Sequence, residues 1–334
     1  MTRLVTRRGF SPDTDLFGGD FSNERVLTRT NSELSVSLLS DVEGRITITL
    51  TGEGLLGNRP TLTGITITGD SGLIFGLTGF RITADDADRL LSDPAGITSI
   101  FAGADVLVGS SFADELEGFS GNDLIRGGGG GDTLNGGSGD DVVRGGGGAD
   151  KIAGAAGADR LIGNSGADRV SGGGANDFLS GKGGNDTLIG NAGNDQLEGG
   201  NGRDKLKGGS GADALGGGNA SDLLNGGGGN DSLIGGGGGD VLRGGRGNDM
   251  MNGGGGNDIF VFKTGDGEDR IVAFNISADD KIDLSRIGAI QNFQDLSNNH
   301  LRQIGDDILI RAGNDRITLV NKDADSLTDA DFIF

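Results

Sequence analysis

Between Asp105 and Asp258 an aspartate occupies every ninth position without a miss, eighteen in all. They are Asp105, Asp114, Asp123, Asp132, Asp141, Asp150, Asp159, Asp168, Asp177, Asp186, Asp195, Asp204, Asp213, Asp222, Asp231, Asp240, Asp249 and Asp258. A fixed beat of this length confines the chain to an array of like units stacked on one another. Other positions keep the same beat. Two residues after each aspartate stands an apolar side chain: Leu107, Leu116, Ile125, Leu134, Val143, Ile152, Leu161, Val170, Leu179, Leu188, Leu197, Leu206, Leu215, Leu224, Leu233, Leu242, Met251 and Phe260. Glycine stands five residues before each aspartate, with Ile100 the one exception, and two residues before it except at Phe112, Ala175 and Ala220. The unit is G-G-x-G-x-D-x-U-x with U apolar, and residues 127–135, 199–207 and 253–261 are good copies.

The glycines admit backbone angles closed to other residues, so the six residues G-G-x-G-x-D are expected to turn tightly with their carbonyls inward. The remaining x-U-x reads as a very short strand. Two units then close one coil, in which the U side chains of facing strands meet in a thin core. An eighteen-residue coil sorts the aspartates into two columns: Asp105, Asp123 and every eighteenth residue to Asp249 form the first, and Asp114, Asp132 and so on to Asp258 the second. Carboxylates one strand spacing of about 4.8 Å apart repel by about 0.9 kcal/mol per pair in water, and four times that at an effective dielectric near 20. Counter-ions are therefore integral to the fold. Hard carboxylate and carbonyl oxygens, without nitrogen or sulfur ligands, select Ca²⁺ over the stricter octahedron of Mg²⁺.

This nonapeptide resembles that of the RTX family, the hemolysin-type calcium-binding repeat proteins exported by Gram-negative bacteria. The resemblance implies an all-β fold, a right-handed parallel β-roll, with each ion held between successive turns of one column by aspartate carboxylates and backbone carbonyls. The implied carbonyls are those of Gly127, Gly130, Gly136, Gly139, Gly145, Gly148, Gly199, Gly202, Gly208, Gly211, Gly226, Gly229, Gly235, Gly238, Gly244, Gly247, Gly253 and Gly256. Nine coils leave eight gaps per column, a ceiling of about 16 ions. Phe112, Ala175 and Ala220 replace a turn glycine, so fewer are expected. Folding coupled to calcium suits passage through a type I secretion apparatus: unfolded where Ca²⁺ is scarce, folded outside the cell.

The composition bounds the rest. The chain has 334 residues, 71 Gly, no Cys, Trp or Tyr, and a net charge of −21. No disulfide framework or thiolate site is available. The acidity argues against nucleic acid and anionic membranes as partners. No run reaches the length of a membrane span, and no apolar stretch of signal-peptide length follows Met1. Composition breaks near residues 102 and 261 set off the roll 103–261 from a C-terminal cap 262–334 and from the residues before it, which are read as an unassigned segment 1–32 and a small β-rich N-terminal cap 33–102.

In the N-terminal cap the alternations Arg45–Leu50 and Thr63–Thr68 and the apolar segment Leu73–Phe80 read as strands, followed by a short helix after Thr83. In the C-terminal cap strands are expected at Ile271–Phe274, Lys281–Leu284, Asp307–Arg311 and Arg316–Val320. Its stretches VFKTGDGEDRIVAFNISADDKIDLS and SLTDADFIF resemble the C-terminal region of RTX proteins that use type I secretion, which implies an uncleaved signal in the last fifty residues or so. An open solenoid end also needs a cap.

Several motifs mislead. Gly69-Asp70-Ser71-Gly72 spells a serine-protease signature, but His300 is the only histidine, and a turn between strands explains it better. One histidine excludes H-E-x-x-H, and G-x-S-x-G is absent, so neither the metalloprotease nor the lipase that accompanies such repeats is encoded. Asp13, Asp15, Gly18 and Glu24 match EF-hand spacing, yet Phe17 stands at a ligand position. Lys205 and Lys207 read as solvent-facing edge charges.

The sequence thus points to a secreted, free-standing, non-catalytic calcium-binding protein whose rod serves surface, matrix or filament assembly, with itself as a partner. The alternative is an accessory module of the kind attached to alginate epimerases, whose flat sheet would hold an acidic polysaccharide.

Overall fold

A computed structural model describes residues 103–109 and 111–334 in full and, before them, the backbone of five strands. Two compact units are formed, residues 1–100 and 101–334. In the first, Val26–Arg29, Glu33–Ser40, Gly44–Glu53, Thr61–Gly69 and Ile74–Ile82 pair in sequence as an antiparallel meander. The two strands expected from alternation and the one expected from the apolar segment Leu73–Phe80 are among them. The helix after Thr83, the residues Asp70–Gly72 and the EF-hand-like positions lie outside the described residues.

The second unit is a parallel β-roll. Strands alternate between two sheets, and every strand pairs with the one two further along the chain: Val142 with Leu124 and Arg160, Lys151 with Thr133 and Arg169. Each pairing joins residues eighteen apart, the coil period required by the nonapeptide. All eighteen U side chains are buried, from Leu107 at 2 % exposure to Phe260 at 0 %, and form one thin core between the sheets. Beta-branched and leucine side chains at a single inward position per strand suffice because neighbouring coils supply the lateral contacts.

One expectation is corrected. The strand is not the three residues x-U-x but six, running on through the first three positions of the next unit, as in Lys205–Ser210 and Val241–Arg246. The parallel ladder skips the first glycine and resumes at the second, so Arg144 pairs with Arg126 and then Gly146 with Gly128. Two glycines without side chains let adjacent coils keep hydrogen bonding where a six-residue turn was expected. The true turn is the short G-x-D segment that follows.

The roll runs on past the repeat. Glu268–Ile271 extends one sheet by pairing with Met250–Gly255, and Asp315–Leu319 pairs with it in turn. Asp307–Ala312 and Leu301–Ile304 complete an antiparallel edge. In the other sheet Lys281–Arg286 follows Ile259–Lys263, and Phe332–Ile333 pairs with it. Phe332 is 7 % exposed and packs between Phe293 and Phe334. The strand expected at Ile271–Phe274 is thus displaced to Glu268–Ile271, while Val272 leaves the ladder after one further bond to Met251. His300 is a packed surface residue whose Nδ1 lies 2.6 Å from the Arg311 carbonyl oxygen.

Candidate calcium-binding columns

Each repeat aspartate sits at the end of a turn, where its side chain folds under the coil, and all eighteen are buried despite their charge. The cause is a ladder that the sequence pattern does not display. One carboxylate oxygen, Oδ1, accepts a hydrogen bond from the backbone N–H of the aspartate eighteen residues earlier. Sixteen such bonds run through the repeat at 2.7 to 2.9 Å, from Asp105 N–H on Asp123 to Asp240 N–H on Asp258. The structure therefore brings together each column anticipated from the period, with every member in contact with the next.

The second oxygen, Oδ2, is treated differently. In seventeen of the eighteen aspartates, Asp114 apart, it is buried and has no hydrogen-bond partner. A buried polar atom left unpaired costs about 1–3 kcal/mol, and more when it is charged. In the units that begin with glycine it faces a small space in front of that glycine. A Cβ at Gly217 would lie 2.5 Å from Asp222 Oδ2 and 2.5 Å from the carbonyl oxygen of Gly235 in the next coil. The same arrangement recurs at Gly190, between Asp195 Oδ2 and Gly208 O, and at Gly208, between Asp213 Oδ2 and Gly226 O. The backbone angles of these first glycines are ordinary. The absence of a side chain there keeps open a cradle lined by hard oxygens.

The third glycine of the unit has another task. At Gly184 the backbone takes φ 130° and the carbonyl of Gly166 in the preceding coil lies against it, so a side chain is excluded on both counts. The carbonyls of this set, Gly130 and Gly148 among them, stack on the third glycine one coil later. Ala175 and Ala220 hold the left-handed angle as well, at φ 78°. The turn conformation therefore survives these replacements, and the cradles of Asp177 and Asp222 keep their facing oxygens.

The electrostatics match the geometry. Burial raises the carboxyl pKa of Asp177 and Asp222 from 3.8 to about 7, opposed by the backbone N–H and reinforced by the like charges above and below. Asp141, Asp168 and Asp213 are raised to about 6 by the same causes. Asp195, Asp204 and Asp240 are raised chiefly by burial. Burial disfavours the ionised form of these carboxyls, and a cation placed beside them would favour it. Among the described residues no three His, Cys, Asp or Glu side chains cluster as a metal site. The donor set is one carboxylate oxygen with peptide carbonyls, which fits Ca²⁺ and leaves nothing for a softer metal.

Two ladder members were missed by the nine-residue count. Asp249 N–H donates to Asp269 and Asp258 N–H donates to Asp280, each at 3.0 Å, across steps of 20 and 22 residues. Both residues are buried. The signal was present as the D-x-U triplets Asp269-Arg270-Ile271 and Asp280-Lys281-Ile282, displaced by insertions of two and four residues. Asp280 ends its column differently, since its Oδ2 accepts from Asn275 N–H at 2.7 Å and is not left free.

Residues 100–134, 126–161, 154–188, 189–224 and 225–260 match the family described as RTX calcium-binding nonapeptide repeat (4 copies). No curated protein matches the chain. Among solved structures, the extracellular lipase LipA from Serratia marcescens is 20 % identical with a TM-score of 0.24, over 52 % of this chain and 40 % of the lipase. The AlgE6R3 subunit from the Azotobacter vinelandii mannuronan C5-epimerase is 22 % identical with a TM-score of 0.19, over 53 % of this chain and 80 % of that subunit. The chain thus spans about two fifths of the lipase's length. On its repeat, its coil period and its match to the family profile, the segment 100–260 belongs to the RTX calcium-binding nonapeptide repeat family.

Proposed function

We propose that this chain is a secreted calcium-binding protein that folds when Ca²⁺ reaches it outside the cell, and that the folded rod itself is the functional part, in surface, matrix or filament assembly. The observation that carries the reading is the row of buried, unpartnered Oδ2 atoms, most of which share the space at a first glycine with a carbonyl of the next coil. The ligands would be the carboxylates of the eighteen repeat aspartates, Asp105 to Asp258, with the first-glycine carbonyls. Bound calcium would supply positive charge and fill the coordination that burial denies these oxygens. The chain's own residues position the site: the backbone N–H fixes Oδ1, which turns Oδ2 into the cradle. Third-glycine carbonyls, such as those of Gly202 and Gly211, are proposed to complete each site. The reading assigns no catalysis.

Export by a type I apparatus is part of this reading, with the signal in the C-terminal region. No helix among the described residues is long and apolar enough to cross a membrane. The test is circular dichroism of the whole chain, titrated with Ca²⁺ and with Mg²⁺ separately, followed by light scattering and electron microscopy at saturation. Strand signal that appears only with Ca²⁺, and calcium-dependent filaments or sheets, are expected. Equal strand signal in chelator, or with Mg²⁺ alone, would refute the folding mechanism, and a calcium-loaded chain that stays monomeric would refute assembly.

A second reading, as a module holding an acidic polysaccharide, is supported by one surface feature. Arg126, Arg144, Arg160 and Lys182 stand on four consecutive strands of one sheet, with Arg126 and Arg144 paired in register. Among the described residues none of the four has a carboxylate partner, and Arg160 lies 4.2 Å from the centroid of the Phe178 ring. Arginine forks match carboxylates, so a polyuronate would suit this face. Retention of the calcium-loaded chain on an alginate column, lost on R126E/R144E, would favour it. Passage in the void volume would exclude it.

A further inference from the structure

The two turn columns carry the same aspartates but not the same neighbours. At the position just before the aspartate, a second ladder runs outside the first, in which a side-chain oxygen accepts the backbone N–H one coil later. In the first column six such bonds occur: Asp140 N–H to Asn122, Ala158 N–H to Asp140, Asn194 N–H to Asn176, Ala212 N–H to Asn194, Asn248 N–H to Asn230, and Glu268 N–H to Asn248. Their lengths run from 2.7 to 3.2 Å. In the second column only two occur, Arg203 N–H to Asn185 and Gly239 N–H to Ser221. The reason lies in the sequence: the second column has Ala113, Gly131, Ala149 and Ala167 at this position through its first half, and none of these can accept.

These outer bonds differ from the inner ones in kind. Most of the acceptors are neutral amides, so the bonds form without bringing like charges together, and they need no cation. A turn already held to its neighbour loses less freedom when an ion binds in it. We infer that the roll is unequal by construction: the first column is held at six of its steps by bonds that need no metal, with breaks at Ala104, Ala158 and Ala212, and the second, above all from Asp114 to Asp168, relies more heavily on calcium for its closure. On falling calcium the second column opens first, and on rising calcium the first column fills first. The chain would then pass through a half-closed state with one edge zipped, in which the nascent coil is registered along the first column before the second locks it.

This inference rests on the proposal that calcium occupies the cradles, and one experiment separates the two. Hydrogen exchange of the full chain is followed by mass spectrometry while free Ca²⁺ is lowered in a chelator-buffered series. Peptides over turns 138–141 and 156–159 report the first column; those over 147–150 and 165–168 report the second. Loss of protection in the second column is expected at about fivefold higher free Ca²⁺ than in the first, the effect of roughly one net hydrogen bond. A149N/A167N should narrow the gap, since it adds acceptors on the second side; N122A/D140A should narrow it from the first side, and N122D should not. Simultaneous loss in both columns, or earlier loss in the first, overturns the inference and leaves the calcium reading standing. Protection unchanged by chelator in both columns overturns both.

Discussion

Replacing Asp195 by Asn tests the assignment of the inner ladder at a single atom. Asp195 stands in a central coil, its Oδ1 accepting from Asp177 N–H at 2.8 Å, its Oδ2 buried and unpaired in the cradle with the Gly208 carbonyl. Asparagine is isosteric: its Oδ1 keeps the rung, and its Nδ2 presents donors to the Gly208 carbonyl. In the metal-free roll this pairs an orphaned atom, a gain of about 1–3 kcal/mol, and removes repulsion from Asp177 and Asp213 of about 0.9 kcal/mol each in water. A net gain of about 3 kcal/mol is expected for the metal-free fold, together with the loss of one ion. Equilibrium dialysis gives the ion number at saturation. The gain is read in excess chelator from the concentration of TMAO needed to fold the chain, which should fall. Asp140→Asn is the control, because Asp140 is exposed and its role as an acceptor survives the change. An Asp195→Asn chain that binds as many ions as the parent and needs the same osmolyte would refute the placement of calcium against Oδ2.

Protons should partly substitute for calcium. Since Asp141 and Asp213 are raised to about 6 and Asp177 and Asp222 to about 7 from 3.8, the metal-free roll holds more protons than the unfolded chain between those limits, so its stability rises as pH falls through that window. Far-ultraviolet circular dichroism of the chelated chain should gain strand signal from pH 8 to pH 5, while calcium affinity weakens; a signal constant across this range would contradict the burial of these groups. Gly217→Ala should abolish one calcium site, measured as one ion fewer by dialysis, because its Cβ would lie 2.5 Å from both cradle oxygens, one of them the Gly235 backbone carbonyl, which must shift. Gly184→Ala should cost the strain of a left-handed residue, about 1–2 kcal/mol, plus collision with the Gly166 carbonyl, seen as a raised calcium midpoint. Phe332→Ala should destabilise the roll by about 3–5 kcal/mol in urea melts at saturating calcium, since the side chain is buried against Phe293 under the final rung.

Much of the site was legible because a solenoid translates period into position with little intervention from the rest of the chain. A residue repeated every nine places, in a coil of eighteen, falls in one of two columns however the turns are drawn, so Asp123 and Asp141 had to be neighbours. Where the beat broke, reading failed: Asp269 and Asp280 continue the columns across insertions that no count by nine passes over. The division of each unit into strand and turn was also misjudged, because glycine was read as turn. In Lys205–Ser210 it belongs to the ladder.

The amino-acid order by itself determined the coil period, the inward U positions from Leu107 to Phe260, the two acidic columns and the hardness of their donors, all of which follow from which residue types recur at which interval. Only the tertiary structure decided how the two oxygens of each carboxylate divide their labour, one taking a backbone N–H from the coil before and the other left bare in a cradle. It alone decided, too, that the residue before the aspartate is a second rung in one column and mostly a gap in the other. Both depend on which atoms lie one strand spacing apart once coils are stacked, a distance set by backbone hydrogen bonding between residues eighteen apart.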